Sequence, residues 1–225
     1  MSFIIQLDTA TKNARISLSK AGQLTFEEVN GQMKDHASFV QPALKRILKK
    51  AGITGKEISA VAVSHGPGSY TGLRVGMASA KGLSFALNKP LITVGSLQVL
   101  ARAVKNTTVA ADTVLFCPMI DARRMEVFAA LYDSALRELL EPKAVILTAE
   151  TYANWLLKNE VWFVGDGAEK YSRILEHKNA KFVMEGNNSL AMSQLAYEKY
   201  EAGGFADVAY AEPLYLKEFF SPNSL

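Results

Sequence analysis

Residues 60–87 read AVAVSHGPGSYTGLRVGMASAKGLSFAL, and the order of features in this stretch decides the class of fold. Residues 60–64 are an apolar run of strand length, and 71–87 contain no proline and extend far enough for one long helix. Between them lie Gly66, Pro67, Gly68 and Gly72. Glycine tolerates positive φ and proline fixes its own, so the segment makes a sharp strand-to-helix turn. Strand, turn and helix in that order predict an α/β protein. Amides at the start of such a helix suit an anion, although the same turn also serves simply to close a βα connection.

Two phosphate-binding loops are tested by spacing. A P-loop requires lysine and then a hydroxyl after its last glycine, whereas Gly72 is followed by Leu73 and Arg74. The dinucleotide fingerprint Gly-x-Gly-x-x-Gly is one residue too short for Gly66, Gly68 and Gly72, and Asn88 and Lys89 stand where a ribose-binding acid belongs. Along the helix, Gly72, Gly76, Ala80 and Ser84 recur every fourth residue and share one face. Another backbone is expected to lie close to that stripe, either within the chain or from a second one.

The 225 residues are 49% hydrophobic, enough for one large or two small domains. A net charge of +3, with both signs interspersed, predicts no broad nucleic-acid footprint. Lys45, Arg46, Lys49 and Lys50 form the densest basic group and read as the solvated side of a helix. Cys117 is the single cysteine, placed in an apolar run, so it reads as buried filler in a reducing compartment. The opening MSFIIQLD has neither a basic leader nor a cleavable apolar region, and no apolar stretch reaches the length of a membrane span. A cytoplasmic protein without membrane contact is expected.

In chain order, 3–7 reads as a buried strand, 8–13 as a polar turn, and 14–19 as its hairpin partner. A third strand over 24–30, a helix over 37–51, the strand–turn–helix of 60–87, a strand over 91–94 and a helix over 96–104 follow. Residues 106–112 are small and polar and predict a hinge, dividing the chain into domains 1–105 and 106–225. The pattern then restarts. An apolar strand over 114–120 runs into Asp121, a turn follows, and 126–132 is a second strand, so Asp8 and Asp121 hold equivalent places in a duplicated unit. A short strand at 145–147, helices over 149–157, 169–175 and 190–201, and strands over 161–164 and 182–184 complete the second half, which residues 213–216 close. Each unit is expected to be a mixed β-sheet with helices on its faces.

HGPGSYTGLRVGMASAKGLSFAL, the opening IIQLDTAT and the later MIDARRMEVFAALY together resemble the bacterial TsaB (YeaZ) family, accessory subunits in the synthesis of N6-threonylcarbamoyladenosine on tRNA. The likeness extends over nearly the whole chain. It implies a duplicated actin-like fold (ASKHA, ribonuclease H-like), with two mixed β-sheets flanked by helices and the nucleotide cleft of that fold between the halves. Asp8, Thr9, Thr11, Gly66, Gly68, Gly165, Asp166 and Gly167 are then candidates for a residual nucleotide site, and an ATP-dependent phosphotransferase or ATPase is the rival reading. The catalytic relative, TsaD, carries a His-x-x-x-His metal pair just after the strand matching 91–94. Ser96 and Leu100 occupy those positions here, so no metal and no cofactor are expected. His36, His65 and His177 have no regular spacing that rebuilds the pair; His65 is expected to hydrogen-bond within the glycine loop. Ser69 with His65 lacks both a third group and a nucleophile elbow, so protease chemistry is not expected.

The resemblance therefore implies a non-catalytic scaffold that binds TsaD and works with TsaE, meets tRNA through the complex, and forms a homodimer when alone. The partner surface is expected on the helices at 37–51 and 73–87, through Phe39, Val40, Ala43, Leu44, Ile47, Leu73, Arg74, Gly76, Met77, Ala80, Lys81 and Ser84.

Overall fold

A computed structural model describes residues 2–30, 36–107, 113–184 and 186–217. In the first half, β1 (Phe3–Asp8), β2 (Arg15–Lys20) and β3 (Gln23–Val29) form an antiparallel meander. After α1 (His36–Ala51), β4 (Ile58–Gly66) lies parallel to β1. After α2 (Tyr70–Leu87), β5 (Leu91–Gly95) lies parallel to β4, giving the order β3-β2-β1-β4-β5. The helix α3 (Ser96–Lys105) then leads toward the second half.

There β6 (Leu115–Asp121), β7 (Glu126–Tyr132) and β8 (Glu138–Ile146) repeat the meander. The short α4 (Ala153–Leu156), β9 (Val161–Val164), α5 (Ala168–Ser172), β10 (Ala180–Val183) and α6 (Asn188–Glu201) follow. The second sheet runs β10-β9-β6-β7-β8, which from its meander edge matches the first strand for strand, with β9 parallel to both β6 and β10. Two mixed sheets flanked by helices make up the duplicated unit that the Asp8 and Asp121 repeat predicts, in the actin-like arrangement that the family resemblance implies.

Strand alternation distributes the cores. Ile5 and Leu7 of β1 point to the side covered by α1 and α2, and Ile4 points to the other side, where Val99 and Ala103 of α3 and Met192 and Leu195 of α6 meet it. Burial of each large apolar side chain contributes about 1.5–3 kcal/mol. The remaining face of α3 sends Leu97, Ala101 and Val104 into the core of the second half beside Phe116 and Trp162, so α3 is shared by both sheets.

The structure departs from the expected division at 105/106. α6 packs on β1, β2, β3 and β5, and Ala206, Val208 and Ala211 join the first-half core, so the end of the chain returns to the first sheet instead of closing the second. Only part of the expected hinge at 106–112 falls within the described residues. Strand β8 starts well before residue 145, and α4 and α5 are single turns where longer helices were expected.

A larger correction concerns the small-residue stripe. Gly72, Gly76, Ala80 and Ser84 are buried, and what approaches Gly72 and Gly76 is this chain's own β1 turn. A Cβ at Gly76 would stand 2.2 Å from Thr9 Oγ1, and one at Gly72 would stand 2.1 Å from the Thr9 carbonyl oxygen. Val40, Ala43, Leu44, Ile47, Leu73, Met77 and Ala80 are likewise buried in the first-half core, with Phe39 partly buried against it. Nine of the twelve expected interface residues therefore face inward, because the apolar sides of both helices cover the sheet; Arg74 is exposed, and Phe39 and Lys81 are half-buried.

Candidate functional site

The turns after β1 and β6 face one another across a cleft. One lobe, of about 820 Å³, is walled by Ala10, Thr11 and Lys12, the Pro67–Gly68–Ser69 loop, residues 120–123, Asp166 and Glu169. The other, of about 510 Å³, reaches under Leu100 and Val104 to Gly165 and shares Thr11, Lys12, Asp166 and Glu169.

Of the residues expected at a nucleotide site, Thr11, Gly68, Gly165 and Asp166 line this cleft. Asp8, Thr9, Gly66 and Gly167 do not. Thr9 is fully buried and its hydroxyl donates to the Gly72 carbonyl at 2.7 Å, which fixes α2 to the turn. Asp8 is nearly buried, and its Oδ1 accepts hydrogen bonds from Ser64 Oγ at 2.7 Å and from the Ala10 amide at 3.2 Å. Gly66 adopts φ +123°, and a Cβ there would stand 2.7 Å from the Leu214 carbonyl oxygen. Gly167 is packed beneath β6, its amide donating to the Met119 carbonyl at 3.0 Å. The glycines and hydroxyls at these positions serve packing, and the α2 N-terminus is capped by Ser69, whose Oγ accepts from the Gly72 amide.

The opposing turn was read from the sequence as the connection after Asp121, but its residues were not expected at a site. Arg123 and Arg124 adopt φ 71° and 46°, left-handed conformations uncommon for arginine, in a three-residue hairpin loop closed by the Ala122 amide donating to the Glu126 carbonyl at 3.0 Å. Lys170 steadies it, donating to the Arg124 carbonyl at 2.7 Å and the Glu126 carbonyl at 3.1 Å, and it pairs with Asp121 at 3.0 Å. Burial raises the Asp121 pKa, but the Arg123 amide and the Lys170 ammonium outweigh it and hold the carboxyl below its usual range. The signal was present: DARRM lies between two apolar strands, a spacing that forces a tight turn.

His65 is not held by the glycine loop. The backbone of Val94 bonds its ring, while Nδ1 is buried without a hydrogen-bond partner among the described residues. Burial is the main cause of its lowered pKa, so the imidazole is neutral near pH 7. Ser96 is buried, and Leu100 packs against Gly165. Among the described residues no three histidine, cysteine, aspartate or glutamate side chains group as a metal site.

A second feature lies on the outer side of α2. Arg74, Ala78, Gly82, Phe85 and Ala86 are exposed there, with Phe85 84% accessible. Among the described residues nothing lies within 4 Å of a Cβ built on Gly82. These residues fall off the buried stripe, so the period that marked Gly76 and Ala80 passed over them. On neighbouring α1 the outward side is basic, and Arg46 and Lys50 both pair with Glu28, at 3.1 and 2.6 Å.

The family model described as "TsaD: tRNA N6-adenosine threonylcarbamoyltransferase" matches residues 27–218. The "tRNA threonylcarbamoyladenosine biosynthesis protein TsaB" of Haemophilus influenzae is 29% identical over 223 residues, covering 95% of this chain and 93% of the relative. The chain belongs to the TsaB (YeaZ) family. A Pseudomonas aeruginosa protein solved as similar to peptidase YEAZ superposes with a TM-score of 0.83 at 24% identity, over 96% of this chain and all of the other. More distantly, the Clostridium difficile activator of 2-hydroxyisocaproyl-CoA dehydratase, solved with bound ADPNP, shares the fold with a TM-score of 0.52 at 10% identity, over 90% of this chain and 96% of that one. No helix among the described residues is long and apolar enough to cross a membrane.

Proposed function

We propose that this TsaB-family chain is a non-catalytic accessory subunit of tRNA threonylcarbamoyladenosine biosynthesis in the cytoplasm. It docks a TsaD-type catalytic subunit, works with a TsaE-type ATPase, and meets tRNA through the assembly. The observation that carries the reading is the outer face of α2. Phe85 is almost fully accessible beside Ala78, Gly82 and Ala86, on a helix whose other side is sealed into the core. A large exposed aromatic among small side chains suits a close helix-to-helix contact. The docking surface is thus moved from the buried stripe to the opposite side of the same helix, with Arg74 and part of Lys81 at its border. In the absence of the catalytic subunit the same face pairs two copies of the chain.

Support for a non-catalytic role comes from side chains already engaged. Ser96 and Leu100 stand where the resemblance puts the metal-binding histidines of the catalytic relative, and neither ligates a metal as imidazole does. Thr9 and Asp8, two of the polar groups of the turn that holds phosphate in actin-like enzymes, are tied to Gly72 and Ser64. That counts against the rival ATPase reading.

The test is co-purification of a TsaD-type subunit with wild type, Ala78→Glu and Phe85→Glu. Capture is expected to be lost in both variants while circular dichroism and melting are unchanged; capture equal to wild type would remove this face from the assignment. Calorimetry with ATP and magnesium on the chain alone is expected to show no turnover.

A further inference from the structure

After α6 the chain runs back across the molecule as a strap, residues 206–217. Its start pairs with the edge of β5, the Ala206 amide donating to the Leu91 carbonyl at 2.8 Å. It then crosses α2, where Lys81 Nζ donates to the carbonyls of Ala209 and Ala211 at 3.0 and 3.1 Å. The Arg74 guanidinium lies 4.2 Å from the centre of the Tyr70 ring, and its Nε donates to the Tyr215 hydroxyl at 3.2 Å. The Leu214 amide donates to the His65 carbonyl at 2.7 Å. Beyond that point Leu214, Tyr215, Leu216 and Lys217 wall the cleft, and the Lys217 ammonium pairs with the Glu126 carboxylate at the start of β7, in the other half.

Two of the contacts between the halves, among the described residues, differ in kind. On one side of the first sheet α3 joins them through Leu97, Ala101 and Val104, all buried among second-half residues. On the other side, where α2 lies, the strap joins them through an ion pair whose side chains are 44% and 21% accessible. A buried apolar joint opens only with the whole fold, whereas a solvated ion pair contributes little and breaks locally. The firmer joint between the halves is therefore at α3 and the weaker one at the strap.

We propose that residues 206–217 are a latch: anchored on α2 by Arg74 and Lys81 and on the second half by Lys217, the strap holds the cleft closed, and docking on the outer face of α2 shifts it. The last clause rests on the docking reading above, and the latch itself does not.

Hydrogen–deuterium exchange on the full chain tests both. Arg74→Ala and Lys81→Met free the strap from a helix packed in the first half, and Lys217→Glu sets like charges against each other at an accessible position. In each variant the amides of 121–128, in the second half, are expected to exchange about fivefold faster, with β9 and α3 unchanged. Faster exchange confined to 206–217, with 121–128 at the wild-type rate, would overturn the latch. If Lys217→Glu loses its fold, Lys217→Gln and the two α2 variants decide. Adding a saturating TsaD-type subunit to wild type is expected to protect α2 and to change exchange at 121–128. Protection of α2 without a change at 121–128 would overturn the coupling and leave docking intact, whereas an unprotected α2 would overturn docking and leave the latch to the variants.

Discussion

Gly76 and Gly82 lie on one helix yet respond oppositely to an added methyl group. At Gly76 a Cβ would meet Thr9 Oγ1 at 2.2 Å, so Gly76→Ala is expected to cost about 1–3 kcal/mol by overpacking. At Gly82 no other described residue lies within 4 Å of the added Cβ, and Gly82→Ala is expected to add roughly 0.5–1 kcal/mol from helix propensity. Urea unfolding of the two variants measures both. The sequence showed that small residues were needed every fourth position, but a stripe of that kind does not say what approaches it; the answer, Thr9, is remote in the chain and belongs to another element. His65 gives a pH dependence with a definite sign. Burial lowers its folded pKa, with the Val94 backbone opposing and Lys199 assisting, while the unfolded chain binds the proton near the ordinary value of about 6.5. The unfolded state then holds more protons below that pH, so stability present above it declines as pH falls through it. Melting between pH 7.5 and 5.5 is expected to show this decline in wild type and less of it in His65→Gln. The Asp121 pKa is instead lowered from a carboxylate value, so its contribution disappears only at more acidic pH. Cys117 is buried and its thiol is pushed up to about 12, so alkylation by iodoacetamide is expected only after unfolding.

At the scale of elements, α2 has two faces with separable roles. Ala80 is fully buried in the first-half core, so Ala80→Glu places a carboxylate among apolar side chains and is expected to unfold the protein or cost several kcal/mol. Phe85→Glu, on the exposed face, is expected to leave stability within about 0.5 kcal/mol. Chemical denaturation separates the two outcomes, and the contrast distinguishes a packing face from a docking face. Elements were legible in the sequence where burial was one-sided or complete. The runs of β1, β4 and β6 are apolar because each lies in the middle of a sheet. Strand β8 was largely missed because it is an edge strand, with Glu138, Glu141 and Lys143 facing solvent. The helices α4 and α5 are shorter than their periodicity suggested, with Leu156 the one buried residue of α4 and Ala168 and Tyr171 those of α5.

For the whole molecule, the duplication was legible because Asp8 and Asp121 end equivalent strands, and the matching strand orders of the two sheets bear it out. The return of α6 and the strap to the first sheet was not legible, since sequence order alone assigns a C-terminal helix to the half it follows. What the fold retains is a cleft lined by Thr11 beside a turn whose Thr9 hydroxyl and Asp8 carboxylate are committed to internal bonds, together with one helix that presents an aromatic to solvent. The central claim is that the chain enables a catalytic partner and does not itself react. The most direct measurement is threonylcarbamoylation of tRNA in a reconstituted mixture of TsaD-type and TsaE-type subunits, with the chain present, omitted, replaced by Phe85→Glu, or supplied alone. Product is expected only in the mixture containing wild-type chain; modification by the chain alone, or equal product with the chain omitted, would contradict the account.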